Sequence, residues 1–96
     1  MPGNDQERRA PNGERPGAAV FSDAQWTCLG LGMGLSGREL QIVRCIFAEQ
    51  KEALIARELG ISPHTVHTHL ERLYRKLGVR GRCGVVLRVL AEHLGS

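Results

Sequence analysis

Residues 52–77 read EALIARELGISPHTVHTHLERLYRKL, and their spacing decides the fold. Ile55 and Leu59 stand four apart on a short helix, Ala56 beside them is small, and Gly60 follows as a residue free to take positive φ. A second helix starts at once. Ser62 is placed to cap it, and Pro63 takes the first helical position, where a missing N–H costs nothing. Ile61 and Val66 bracket the cap as a hydrophobic staple. Two helices that cross steeply after so short a turn must approach closely, hence the small Ala56. This is the internal logic of a helix-turn-helix.

The second of these helices, Pro63 to Leu77, separates two faces when its residues are placed about 100° apart. Val66, Leu70, Leu73 and Leu77 fall within about 60° and form the stripe expected to be buried. The opposite face collects His64, Thr68, Glu71, Arg72 and Arg75, flanked by Thr65, His67 and Lys76. Such side chains donate to phosphates and read base edges. His64, His67, Thr68 and Glu71 are the expected base-reading set; Thr65, Arg72, Arg75 and Lys76 are the expected phosphate contacts.

The same start grammar occurs twice more, at Phe21-Ser22…Trp26 and Leu35-Ser36…Leu40, each with a capping-box partner three residues on, Gln25 and Glu39. A short helix is therefore expected from about Asp23 to Leu29, ending in the Gly30-x-Gly32-x-Gly34 stretch. Another is expected from Gly37 to Glu49, and a last one from Arg82 to Leu94 after the stop at Gly78. On the last helix Cys83, Leu87, Leu90 and Leu94 cluster as the expected docking face. Val85 and Val89 form a second apolar stripe, expected to be a dimer interface.

Composition agrees. The chain has 96 residues, 42% hydrophobic and 4% aromatic, which suits one small helical domain and leaves no room for a deep substrate cleft. From Leu35 onward ten Lys/Arg face six Asp/Glu, a net +4, while residues 1–34 carry three against four, a net −1. The positive charge lies in the folded part, as a polyanion partner requires. The most apolar stretch, near Val85 to Leu94, is broken by Arg88, Glu92 and His93, so no membrane partner is expected. Met1 to Pro16 lacks an apolar export core, which favours the cytoplasm. Cys28, Cys45 and Cys83 have no C-x-x-C spacing and read as reduced core thiols.

The organisation expected is a polar, Pro- and Gly-rich disordered arm over residues 1–17, a short helix and glycine-rich linker over 18–34, and a helix-turn-helix domain over 35–96. LSGRELQIVRCIF (35–47), IARELGIS (55–62), HTVHTHLERLYRKLGV (64–79) and RGR (80–82) resemble the LuxR/FixJ-type DNA-binding domain. The resemblance covers residues 35–96 without a gap. It implies an all-α, four-helix bundle, here with an extra N-terminal helix, whose Pro63 helix enters the major groove of double-stranded DNA. It implies a bacterial transcriptional regulator that dimerises through its final helix, weakly off DNA, with RNA polymerase as a further partner. Members often carry a receiver or ligand-sensing domain upstream; the residues before Leu35 have room for neither, so a stand-alone form is expected.

This chain departs from the family at His67, where Lys is common, and at Glu71, where a basic or small polar residue is frequent. It also lacks a common Pro at Gly37, a Gly near Glu49 and a Ser cap at Gly81, and carries Gly84 inside a helix. Two other functions share these features: a protein-interaction module that kept the fold without binding DNA, and a sigma-factor-like promoter reader, against which the helix after the recognition helix argues. His64 and His67 share a helical face, but structural and catalytic zinc need further ligands; His69 lies about 140° round the helix from His64 and no Cys is close in sequence. Neither a metal nor a cofactor is expected. No nucleophile-base pair or carboxylate pair supports an enzyme.

Overall fold

A computed structural model of the chain describes residues 15–95. A 3-10 turn over Pro16–Ala19 leads into five α-helices: α1 Asp23–Gly32, α2 Gly37–Phe47, α3 Glu52–Leu59, α4 Pro63–Leu77 and α5 Arg82–Gly95. Strands are absent from the described residues. The protein is thus an all-helical bundle with a short element ahead of four domain helices.

The three Ser caps form as the sequence spacing requires. Ser22, Ser36 and Ser62 each accept a hydrogen bond from the backbone N–H three residues on, at 3.1 Å. Gln25 and Glu39 close the first two capping boxes by accepting from the Ser22 and Ser36 N–H groups. The helix ends share one stop. Residues Gly34, Gly60 and Gly78 all sit at φ 70°, and the next N–H reaches back to the carbonyl of Gly30, Ala56 or Tyr74. At the end of α2 Glu49 takes the same role at φ 60° without being glycine, and Gln50 N–H bonds to Cys45 O at 3.1 Å.

The first helix runs past Leu29 to Gly32, longer than its glycines suggested. Gly30 is buried against Leu40, whose side chain would meet an added Cβ at 3.0 Å, so this glycine is a packing surface rather than a break. The expected unstructured arm is also too long at its end, because Pro16 and Gly17 belong to the 3-10 turn. Gly17 lies so close to the Phe47 carbonyl that a Cβ would overlap it. Residues 1–14 of that arm lie outside the described residues.

The core joins both parts. Trp26 is 1% exposed and makes edge-on ring contacts with Phe21 at 5.0 Å and Phe47 at 4.9 Å, which fixes α1 on α2. The Phe21 ring also meets His93 of α5 at 4.9 Å. Ile42, Val43 and Ile46 of α2, Ile55 and Ala56 of α3, and Val66, Leu70 and Leu73 of α4 complete the interior. Of the three cysteines only Cys45 is a core residue; Cys28 and Cys83 are exposed thiols, contrary to expectation.

The last helix corrects the sequence reading most. Val85 and Val89 are 0% exposed and dock α5 on the core, whereas Leu87 and Leu94 are 61% and 81% exposed. Val85 and Val89 therefore form no dimer interface. The two apolar stripes exist as read, but the one expected to face outward is the one that docks. Where the chain enters α5 it runs close to Val79: an added Cβ at Gly84 would lie 2.7 Å from the Val79 Cβ.

This geometry sets helix propensity against packing at one residue. Alanine in place of Gly84 favours an isolated helix by about 0.5–1 kcal/mol, while overfilling a packed contact costs about 1–3 kcal/mol. Gly84→Ala should therefore lower the denaturant midpoint; a raised midpoint would show that α5 stands off from Val79.

A second prediction concerns Glu39. Its carboxyl lies below the ordinary 4.5, first because Lys76 Nζ donates to it at 2.8 Å and then because it accepts from Ser36 N–H. A depressed carboxyl contributes stability that is complete above the unfolded value and fades as pH falls through the folded one. The melting-temperature gap between the natural protein and Glu39→Gln should be constant above about pH 6 and close below about pH 4. A gap unchanged down to pH 3 would remove the charge from the cap.

Candidate nucleic-acid interface

Helix α4 presents its outward face because its inward one is anchored in the core by Val66, Leu70 and Leu73. The turn before it is tight. Ile61 N–H bonds to Ala56 O at 3.0 Å, Gly60 reverses the chain, and Ser62 opens the next helix with Pro63 at its first position. The α3–α4 corner sets the direction in which every outward side chain points.

His64, His67, Glu71, Arg72, Arg75 and Lys76 are exposed, and Thr65 and Thr68 half-buried, so the sequence-derived set does gather on one surface. Their states differ. Arg72 and Arg75 have no acidic partner among the described residues. Lys76 is held by Glu39 at 2.8 Å, which ties the C-terminal end of α4 to the start of α2. The Thr65 hydroxyl lies 2.9 Å from the Ser62 hydroxyl and is part of the cap. Thr68 Oγ1 donates to His64 O at 3.2 Å, so its lone pairs and methyl group remain for a ligand.

At the middle of the face His67 stands between two carboxylates. Its Nδ1 lies 3.5 Å from Glu52 Oε2 on α3, and its Nε2 lies 3.5 Å from Glu71 Oε2 one turn further along α4. Protonated, the imidazole donates to both; neutral, it donates to one and must turn its bare nitrogen toward the other carboxylate. Glu52 was missed as a member of this surface by sequence reasoning. The signal was present in part, since Glu52 opens a helix whose partner helix crosses it closely, but a contact spanning 15 residues has no periodicity to reveal it.

Other cations are also unpaired. Lys51, Arg57 and Arg80 are exposed and have no acidic partner among the described residues. Arg44 pairs with Asp23 at 2.8 Å and Arg88 with Glu92 at 3.2 Å, while Arg38 and Arg82 donate to the Leu59 and Gln50 carbonyls at 3.4 Å and 2.6 Å. Exposed Arg15 likewise has no acidic partner among the described residues. No helix among the described residues is long and apolar enough to cross a membrane.

Comparison with known proteins agrees with this geometry. Residues 33–89 match the family described as bacterial regulatory proteins, luxR family. The chain is similar to the probable transcriptional regulatory protein NarL of Mycobacterium tuberculosis strain H37Rv, with 42% identity over 60 residues, 62% of this chain and 28% of that protein. It is similar to the putative HTH-type transcriptional regulator YhjB of Escherichia coli K12, 44% identical over 48 residues, covering 50% of this chain and 24% of the other. The spore germination protein GerE of Bacillus subtilis strain 168 is 36% identical over 56 residues, 58% of this chain and 76% of GerE. The chain thus spans little more than a quarter of NarL but most of GerE. No solved structure matches it significantly. With a helix-turn-helix bundle matched over more than half its length, the chain belongs to the luxR family of bacterial regulatory proteins, a family of DNA-binding transcriptional regulators and not of enzymes.

Proposed function

We propose that the domain is a sequence-specific binder of double-stranded DNA that regulates transcription, with α4 lying in the major groove. The observation that carries this reading is the pair Arg72 and Arg75, exposed on the outward face of α4 without acidic partners among the described residues, whereas Lys76, Arg44 and Arg88 are each ion-paired. Guanidinium groups in that state take phosphates and fix the register of the helix on the duplex. Lys76 joins them by exchanging Glu39 for a phosphate, and Thr65 supports the helix start near the backbone.

Bases are then read by His64, His67, Thr68 and Glu71. Glu71 accepts from a cytosine amino group, and Thr68, its hydrogen already donated to His64 O, meets bases with its lone pairs or methyl group. Glu52 restrains the His67 ring from the α3 side. Such a regulator works at the nucleoid in the cytoplasm and meets RNA polymerase at promoters.

The dimer of this reading uses the outward stripe of α5. Cys83, Leu87 and Leu94 are exposed along it, with Leu90 between them partly buried. A two-fold pairing of this stripe places two α4 helices on half-sites about one helical turn apart. The stripe is small, so association is weak in solution and gains from the two half-sites.

Selection from a random duplex pool should enrich one near-palindromic motif, and Arg75→Ala should weaken binding to all duplexes and make the salt slope shallower by about one per contact. No measurable affinity at low salt would assign the face to a protein partner instead, and affinity without an enriched motif would remove sequence specificity. Leu87→Asp should keep single half-site binding and lose cooperative occupancy of two half-sites; cooperativity that persists would exclude the α5 stripe as the interface.

A further inference from the structure

The reach of Glu52 across the α3–α4 corner bears on more than the tilt of the His67 ring. The two carboxylates beside that ring are not equivalent. Glu52 Oε2 meets Nδ1 in hydrogen-bond geometry at 3.5 Å, whereas Glu71 Oε2 lies at the same distance from Nε2 without it. Glu71 is a neighbour one turn on along the same helix, while Glu52 comes from α3, which is anchored by the buried Ile55 and Ala56. The Glu52 side chain is 42% exposed against 55% for Glu71, so water competes less for it. On each count the Nδ1 proton goes to Glu52.

We propose that Glu52 is a specificity-determining positioning residue of the DNA face proposed above, on which reading this role rests: by holding a proton on Nδ1 it makes Nε2 of His67 the nitrogen that is bare in the neutral ring. A neutral imidazole carries a single N–H, so one nitrogen donates and the other accepts. With Nδ1–H spent on Glu52, the bare Nε2 and the Glu71 carboxylate stand 3.5 Å apart as two acceptors. Two acceptors with no hydrogen between them repel, and one donor placed between them relieves both. In the major groove that donor is an exocyclic amino group, N6 of adenine or N4 of cytosine; guanine and thymine present acceptors there. The cluster thus selects an amino-bearing base, whereas a histidine free to move its proton would pair with either kind. Without Glu52, the Glu71 carboxylate draws the proton to Nε2, and the same ring becomes a donor that Glu71 occupies. Glu52 acts through His67 rather than by touching a base.

The position of the proton is readable in the free protein. In nitrogen-15 spectra of the imidazoles, taken at a pH high enough that the ring signals no longer move and assigned by their loss in His67→Gln, Nδ1 of His67 should carry the proton and Nε2 should be bare. Glu52→Ala, at a position outside the core, should move the proton to Nε2. With DNA, the duplex selected from a random pool is scanned with bases that lack the exocyclic amino group. One such deletion should cost the natural protein about tenfold in affinity and Glu52→Ala clearly less, with the same salt slope in both. A proton on Nε2 in the natural protein, a proton unmoved in Glu52→Ala, or amino deletions that cost both proteins equally or cost neither would overturn the role. So would a uniform change in affinity for all duplexes with an altered salt slope, which would place Glu52 among the phosphate contacts. The first readout contains no DNA. Its failure leaves the DNA-binding proposal standing, while a protein that binds no duplex loses that proposal, and this role with it, with the proton still on Nδ1.

Discussion

The backbone reversal at Gly60 is the constraint on which the rest depends. With φ at 70° and the Ile61 N–H returned to Ala56 O, α3 stops within one residue and α4 begins two residues later. Ala56 is buried with Ile55 and Val66 at that corner, and a larger side chain would push the helices apart. Once the corner is closed, the 3.6-residue repeat determines which side chains of α4 face outward. A residue other than glycine at position 60 would have to adopt a left-handed conformation at a cost of about 1–2 kcal/mol. Glu49 shows that the fold tolerates this once among the described residues, at the end of α2.

Much of this was legible because local rules and tertiary demands agree. Ser22, Ser36 and Ser62 cap where their spacing says, and Val66, Leu70 and Leu73 are buried as their periodicity requires. The errors fall where two solutions share one local pattern. Cys83, Leu87, Leu90 and Leu94 make as good an inward stripe as Val85 and Val89, and hydrophobicity ranks the leucines higher. The tertiary packing decides otherwise, sealing Val85 and Val89 against the core. Gly84 marks a close approach to Val79 rather than a weakness of the helix. Gly30 repeats the lesson: glycines read as a linker are the smooth side of α1 where Leu40 packs.

The electrostatics of the surface was less legible than its membership. A helical wheel places Arg72, Arg75 and Lys76 together but cannot tell an engaged cation from an idle one. In the folded chain Lys76 neutralises the capping-box carboxylate of Glu39, and Arg44 stacks over Trp26 at 5.6 Å while pairing with Asp23. These two basic groups hold helices together. A phosphate that recruits Lys76 must compete with Glu39, so this cation is worth less to a polyanion than the unpaired Arg72 and Arg75. The distinction follows from contacts across 37 residues for Lys76 and 21 for Arg44, beyond any sequence window.

The carboxylates of Glu52 and Glu71 are the least expected part of the surface, since a phosphate backbone repels them. Their common neighbour resolves the conflict. His67 lies 3.5 Å from each, and as an imidazolium it offsets one of the two charges while pointing a ring nitrogen at both. In the proposed complex the pair would disfavour close phosphates beside Glu71 and favour a base edge that donates. A face made only of arginines and lysines would bind duplexes more tightly and distinguish them less, because contacts to phosphate carry no direct sequence information. On the proposed reading, the exchange of affinity for discrimination is located where α3 meets α4, at Glu52, His67 and Glu71.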